Sequence, residues 1–248
     1  MLEKALRYLV SLKENKTYEI DGHTYSDNDL NRIDPPLYYP DTVKVGSLDA
    51  IVKMIRAEFA DYCPIPAGLP EPPAPPVYAH VKSPTEVSVF TRVDDRARRK
   101  YPVKAVCEDV NFSEGWREQQ AAIIELRSRF LPTEDSEYLL GLISCIDSNE
   151  GVTSSDNGVS QNVTARSGVS LLTAETVKPR VVLKPFRTFR EVPQPESEFI
   201  LRLDNAGRVG LMEADGGIWK IEAKENIAAY LRAELADAID AGAVVVMI

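Results

Sequence analysis

Apolar and polar positions alternate along this chain with two distinct periods, and the switches between them lay out a string of short elements. Apolar residues at 2, 5, 6, 9, 10 and 12 have helical spacing. Two alternating runs follow, on either side of Asp21-Gly22. Both central positions of a tight hairpin need positive φ, which this dipeptide tolerates, so the pattern predicts a hairpin over 16–25. Thr42 to Val45 reads as a strand. Ser47 reads as the N-cap of a helix carried by Leu48, Ile51, Val52 and Ile55 and ending near Tyr62.

Between Pro64 and Pro76 seven of 13 residues are proline. Proline fixes φ and removes an amide donor, so this segment predicts an extended connector rather than helix or central strand. After it, the runs 77–82, 86–92 and 101–107 alternate with period two, as successive antiparallel strands do. A long charged turn, Asp94 to Lys100, joins the last two. The spacing then predicts a helix from Ser113 through Trp116, Gln120, Ile123 and Leu126 to about Phe130. Thr133 caps a second helix with Tyr138, Leu139, Leu142, Ile143 and Ile146 on its apolar face.

Residues 147–168 change character. Ser, Thr, Asn and Gly dominate, and Val recurs at 152, 159 and 163. The alternation from Gln161 to Arg166 favours a long polar hairpin, an arm that buries little against its own domain and is suited to ordering by a second copy. Beyond it the pattern predicts a strand over 177–183 and a connector at Val192–Pro195. A three-stranded meander follows over 199–203, 209–214 and 218–223, then a helix over 227–239. The last element is a strand over 243–248, buried on both faces. Strands followed by helices in antiparallel order give an α+β fold: mainly antiparallel sheets, several packed helices and the polar arm. The organisation expected is an N-terminal segment 1–63, the connector 64–76, and a main domain 77–248 with its arm near 147–170.

Composition narrows the classes. With 248 residues, 44% apolar and 27% charged, the chain has material for a core and is neither fibrous nor wholly disordered. No apolar run reaches the roughly 20 residues that span a bilayer, and the first residues lack the apolar core of a signal peptide. Cys63, Cys107 and Cys145 are too scattered for a disulfide framework or a zinc site. Together these predict a reduced, cytoplasmic protein with no membrane partner.

Signatures of chemistry are sparse. No phosphate-binding glycine loop, dinucleotide fingerprint or nucleophile elbow occurs, so no cofactor is implied. Gly216-Gly217 reads as a turn. His23 and His80 stand alone, and each Cys sits among apolar residues, where it packs as a small hydrophobe. No catalytic residue is assigned. Glu213 and Asp215 form an acid pair, a weak candidate for magnesium and hence for a metal-dependent hydrolase.

Two basic clusters stand out against a net charge of −9. Arg96, Arg98, Arg99 and Lys100 crowd one turn. Lys178 to Arg190 holds five cations, among them Lys184, Arg187 and Arg190, with Phe186 and Phe189 and no acid. Cations on phosphates with aromatics under bases is the recipe for single-strand binding. The competing expectation is that charge defends edge strands while the two Phe are core.

Four stretches resemble a known family: 130–140, beginning Phe-Leu-Pro-Thr-Glu-Asp; Asp156-Asn-Gly-Val-Ser-Gln-Asn-Val-Thr; Lys184-Pro-Phe-Arg-Thr-Phe-Arg-Glu-Val; and Glu213-Ala-Asp-Gly-Gly-Ile-Trp-Lys. They look like the YfdQ-like phage and prophage proteins, a domain of unknown function, over roughly the last 130 residues. The resemblance implies phage origin, the cytoplasm of a bacterial host and self-association, but no activity. The expectation is a non-enzymatic binding protein that forms a homo-oligomer through the arm (Val152, Val159, Gln161, Val163). It would act on a host partner, such as a defence system. The alternatives are a nucleic-acid-binding factor in phage recombination or replication, and the hydrolase.

Overall fold

The structure is a computed structural model that describes residues 3–5, 17–26, 32–33, 41–60, 76–93, 99–108, 112, 114–144, 153–156, 161–167, 170–204 and 207–248. The chain divides into two compact units, Met1–Pro40 and Asp41–Ile248. In the first, β1 (Thr17–Ile20), β2 (His23–Ser26) and β3 (Arg32–Ile33) form an antiparallel sheet in that order. The expected hairpin is present, with Asp21 at φ 51° and Gly22 at φ 75°. Residues 3–5 are helical; the rest of the first expected helix lies outside the described residues, as does the proline tract up to residue 75.

The second unit is built on two larger sheets. One is mixed. It contains β4 (Val43–Val45), β5 (Val77–Ser83), β6 (Glu86–Phe90), β7 (Val103–Val106) and β16 (Val244–Met247), in the order β16-β5-β6-β7-β4. The three central strands are antiparallel to one another, and each outer strand runs parallel to the one beside it. Val77, Ala79, Val81, Val87, Val89, Val103 and Ala105 turn one face into a core shared with α1 (Leu48–Ala60) and α4 (Trp219–Glu234). From α1 come Leu48, Ile51, Val52 and Ile55, on helical spacing, and Ser47 caps it by accepting from the Ala50 amide at 3.2 Å. Residues 41–60 therefore share the second unit's core, whereas the pattern had grouped them with the N-terminal segment. A strand of three residues gives no sequence signal for a parallel partner almost sixty residues downstream.

The other large sheet is antiparallel. It contains β8 (Gly115–Arg117), β9 (Phe130–Leu131), β13 (Arg180–Pro185), β14 (Ser197–Leu203) and β15 (Val209–Glu213), in the order β8-β15-β14-β13-β9. Its core is Val181, Leu183, Phe199, Leu201, Leu203, Val209 and Leu211, covered by α2 (Gln119–Arg129) and α3 (Glu134–Ser144). Thr133 caps α3 as expected: its Oγ1 accepts from the Ser136 amide at 3.1 Å, and Ser136 Oγ accepts in return from the Thr133 amide at 2.8 Å. The polar arm forms a third sheet, β10 (Thr153–Asp156), β11 (Gln161–Ser167) and β12 (Ser170–Val177), antiparallel in that order. The fold is α+β with antiparallel and mixed sheets.

Four elements differ from their patterns. Trp116 is not in a helix. Gly115 at φ 131° opens β8, which pairs Trp116 with Gly210, and α2 begins only at Gln119. The strand expected over 177–183 breaks at Lys178-Pro179, where proline cannot donate to a ladder, so Val177 ends β12 and Arg180 starts β13. The third meander strand is the first turn of α4. Gly216 and Gly217, at φ 64° and 82°, turn the chain into a helix whose buried residues Ala223, Ile227, Ala228 and Leu231 follow helical spacing. Finally, β16 is an edge strand rather than a doubly buried one, and Val245 is well exposed.

Candidate functional site

Two side-chain constellations are candidates, and each begins with a sheet. On the mixed sheet, side chains alternate between faces. The core takes one phase; the other puts Tyr78, His80, Ser88, Phe90 and Lys104 on the opposite face. Register sets Tyr78 beside Phe90, His80 beside Ser88, Ser88 beside Lys104, and Lys104 beside Lys44. The described helices that pack on this sheet do so through the core side. Among the described residues no helix is packed on the opposite face, where these strand side chains are half-buried.

Aromatic rings gather there. Tyr78 and Phe90 stack with centroids 5.4 Å apart and planes 21° from parallel. Tyr101, just ahead of β7 and 49% exposed, tilts against Phe90 at 5.6 Å, and His80 meets Phe90 edge-on at 6.3 Å. The Arg99 guanidinium sits 5.0 Å from the Phe90 centroid. Beside this cluster a shallow cleft of about 340 Å³ is lined by Lys44, Glu86, Ser88, Tyr101 and Lys104, among others. Glu86 is its acid and is engaged: Lys104 Nζ lies 3.0 Å and Lys82 Nζ 3.2 Å from Glu86 Oε1. The Lys104 hydrogen bond, aided by Lys82, holds the Glu86 carboxyl below its ordinary range against the opposing effect of burial.

The second constellation lies where β13 leaves the antiparallel sheet. Arg187 is only 2% exposed. Its Nη1 donates to Glu213 Oε1 at 2.5 Å and its Nη2 donates to Ser197 Oγ. Ser197 Oγ in turn donates to Asp215 Oδ2 at 2.6 Å. The Trp219 ring lies against the guanidinium, centroid to Cζ 3.9 Å, and donates its Nε1–H to Glu213 Oε2 at 3.2 Å. Burial works to lower the Arg187 pKa, and the Glu213 carboxylate opposes it. Asp215 is pushed up by burial, but hydrogen bonds from Ser197 and from the Gly217 and Trp219 amides outweigh this and hold it below its ordinary value. The chemistry of this cluster is that of a buried, ion-paired cation whose two terminal nitrogens are bonded while its Nε has no hydrogen-bond partner among the described residues.

The loop after Arg187 ties the two large sheets together. Gln194 Oε1 accepts from the Arg187 and Thr188 amides, at 2.9 and 3.2 Å, while Gln194 Nε2 donates to the Phe189 carbonyl at 2.9 Å. Thr188 Oγ1 donates to the Pro84 carbonyl on the mixed sheet, and Glu191 Oε1 accepts from the Leu48 amide at 2.8 Å, at the start of α1. Phe189 and Val192 complete the mixed sheet's core. A cleft of about 660 Å³ opens beside this loop, lined by residues that include Ser47, Cys107, Phe112, Arg129, Phe186 and Arg190.

The candidates read from sequence are thus scattered. The 178–190 strip is not one surface: Lys178 pairs with Asp135, Arg180 with Glu198, Lys184 with Glu196, and Arg187 with Glu213. Arg187 and Phe189 are interior, Phe186 is half-buried, and Arg190 is exposed. Neighbouring acids meet the charge on these strands, β13 lies between β14 and β9 rather than at an edge, and of the two Phe expected in the core Phe189 is there while Phe186 is half-buried. Arg96 and Arg98 lie outside the described residues, while Arg99 and Lys100 stand exposed at the rim of the open sheet face. Glu213 and Asp215, read as a weak metal pair, spend their oxygens on Arg187, Trp219, Ser197 and Gly217. Gln161 and Val163 fall on β11; Val152 and Val159 lie outside the described residues. The open face escaped the sequence reading although its signal was there. Tyr78, His80 and Phe90 occupy the outward phase of strands whose inward phase is all Val and Ala. Compared with protein-family models, curated proteins and solved structures, the chain finds no match in any of the three.

Proposed function

We propose that this chain is a non-enzymatic binding protein and that the open face of its mixed sheet is the contact surface. One observation carries the reading: five strands are sealed on one side by α1 and α4, while the other side presents Tyr78, Phe90 and Tyr101 next to Lys44 and Lys104. Rings gathered contiguously outside a core, next to polar and charged neighbours, are characteristic of an interaction surface. A photoreactive amino acid in place of Ser88, at the centre of the face, tests it in bacterial cells. Adducts should form there and not from the same group in place of Lys224 on α4. Absence of adducts at Ser88, or equal labelling at both positions, contradicts the reading.

The likeness to YfdQ-like phage proteins supports setting this role in the cytoplasm of a bacterial host, with a host protein as one class of partner. Self-association through the arm is part of the same proposal. Its support is that β10 and β12 stand at the ends of a three-stranded sheet, and end strands offer unpaired backbone groups to a second copy. Light scattering at micromolar concentration should give a multiple of 27.5 kDa; a monomer mass contradicts it.

A further inference from the structure

Resting on that reading of the open face, we infer that its ligand is an unpaired nucleic-acid strand, held by ring stacking and phosphate contacts. Three features of the face select this chemistry over an acidic peptide or a second copy of the chain. The first is aromatic supply. Tyr78, Phe90 and Tyr101 form a continuous chain of rings across β5, β6 and the approach to β7, with neighbouring centroids 5.4 and 5.6 Å apart. Tyr78 and Phe90 back one another and Arg99 lies over Phe90, so a base would meet the exposed Tyr101 ring at the end of this chain, a contact that needs no particular sequence. The second is the placement of charge. Lys44 and Lys104 are cross-strand neighbours on one flank of the rings, and Arg99 and Lys100 stand at the turn beside them. Like charges side by side on a sheet destabilise it unless an anion joins them. Glu86 offsets part of this repulsion but is shared between Lys82 and Lys104, so a phosphate would meet an excess of cations there. The third is the Arg99 guanidinium over Phe90, which adds a planar cation to the platform.

A duplex buries the faces of its bases, so rings on a sheet cannot stack on them. The surface therefore discriminates for single strands. The chain's net charge of −9 repels polyanions in general, so attraction depends on local cations such as these and is short-ranged in salt.

Fluorescence anisotropy with a labelled oligothymidylate about 20 nucleotides long, beside an oligouridylate and a duplex of equal length, tests the assignment. Four cations predict that log K falls with log salt at a slope of roughly −3, and the paired changes Lys44→Glu and Lys104→Glu should flatten it by about one unit or more. Tyr101→Ala should weaken binding by about 5- to 100-fold, and Tyr101→Phe, which keeps the ring, should restore it. Lys224→Glu on α4 should leave binding unchanged, and circular dichroism of each variant confirms that it is folded. Failure of both oligonucleotides to bind in low salt, equal affinity for the duplex, or indifference to Tyr101→Ala in a folded protein would each overturn the assignment. In the cellular experiment, Ser88 adducts that contain nucleotide agree with it. Adducts whose mass is that of a second copy or of another protein, without nucleotide, refute the ligand but leave the open face as the contact surface.

Discussion

The Arg187 guanidinium lies 3.9 Å from the centroid of the Trp219 ring, with Glu213 bonded to both side chains. This pairing joins the end of β13 to the start of α4 and explains why three signals that look separate in sequence belong together. The cation in the basic strip, the acid pair and the Gly-Gly turn form a single assembly around one buried guanidinium. Removing the cation leaves Glu213 and Asp215 without their counter-charge. Arg187→Met should therefore cost about 3–5 kcal/mol, with urea unfolding as the measure. A double-mutant cycle with Trp219→Leu should return a coupling energy of about 1 kcal/mol. Additive losses would mean that the ring and the guanidinium merely share a space.

Gln194 is the second fixed point. Its side-chain amide satisfies two backbone donors and at least one carbonyl inside a buried loop, and nothing else described takes its place. Gln194→Ala should destabilise by about 3 kcal/mol, read as a fall in melting temperature of about 6–12 °C. Native-state hydrogen exchange should show the Arg187 and Thr188 amides losing most of their protection. Protection unchanged at those two amides would contradict the role given to Gln194.

Acid should unfold the protein for a definable reason. Glu86, Asp135 and Asp215 are all held below their ordinary values of 4.5 for Glu and 3.8 for Asp. A carboxyl so held binds its proton more weakly folded than unfolded. Its stabilisation is complete above the ordinary value and is lost as pH falls through the depressed one. Unfolding free energy should thus stay level from neutral pH down to the ordinary carboxylate range and drop below it. Asp215→Asn should flatten that drop. An acid limb of unchanged slope in this variant would show that Asp215 is not linked to folding.

Much of this architecture was legible in the chain, and what was not has physical causes. The Asp21-Gly22 hairpin, the Ser47 and Thr133 caps and strands β5 to β7 follow from local rules: φ above zero, capping oxygens, period two. The start of α4 misled because Lys220 and Glu222 alternate with Trp219, Ile221 and Ala223 as a strand would. Tertiary context decided instead, since Trp219 is held by Glu213 and Ile218 and Ile221 are left exposed. Charge misled in the same way. Arg187 reads as surface because its counter-acids lie far along the chain, and no local window shows them. The open face was written in the pattern but needed the register, which alone brings Tyr78 to Phe90 and Lys44 to Lys104.

Glu191 offers a test of the link between the loop and α1. Its carboxylate bonds the Leu48 amide at 2.8 Å, alongside Ser47 at the same helix start. Glu191→Ala should cost about 1 kcal/mol, and Ser47→Ala in addition should cost more than the sum of the separate changes. Simple additivity would mean that the two groups cap the helix independently.

Lysine footprinting by mass spectrometry, with and without oligothymidylate, reports directly on the surface at issue. Lys44, Lys100 and Lys104 should be shielded from acylation by the oligonucleotide, while Lys53 and Lys220 on the helical side react as before. Shielding at Lys53 and Lys220 instead, or no shielding at Lys44 and Lys104 when the strand is bound, would contradict the account.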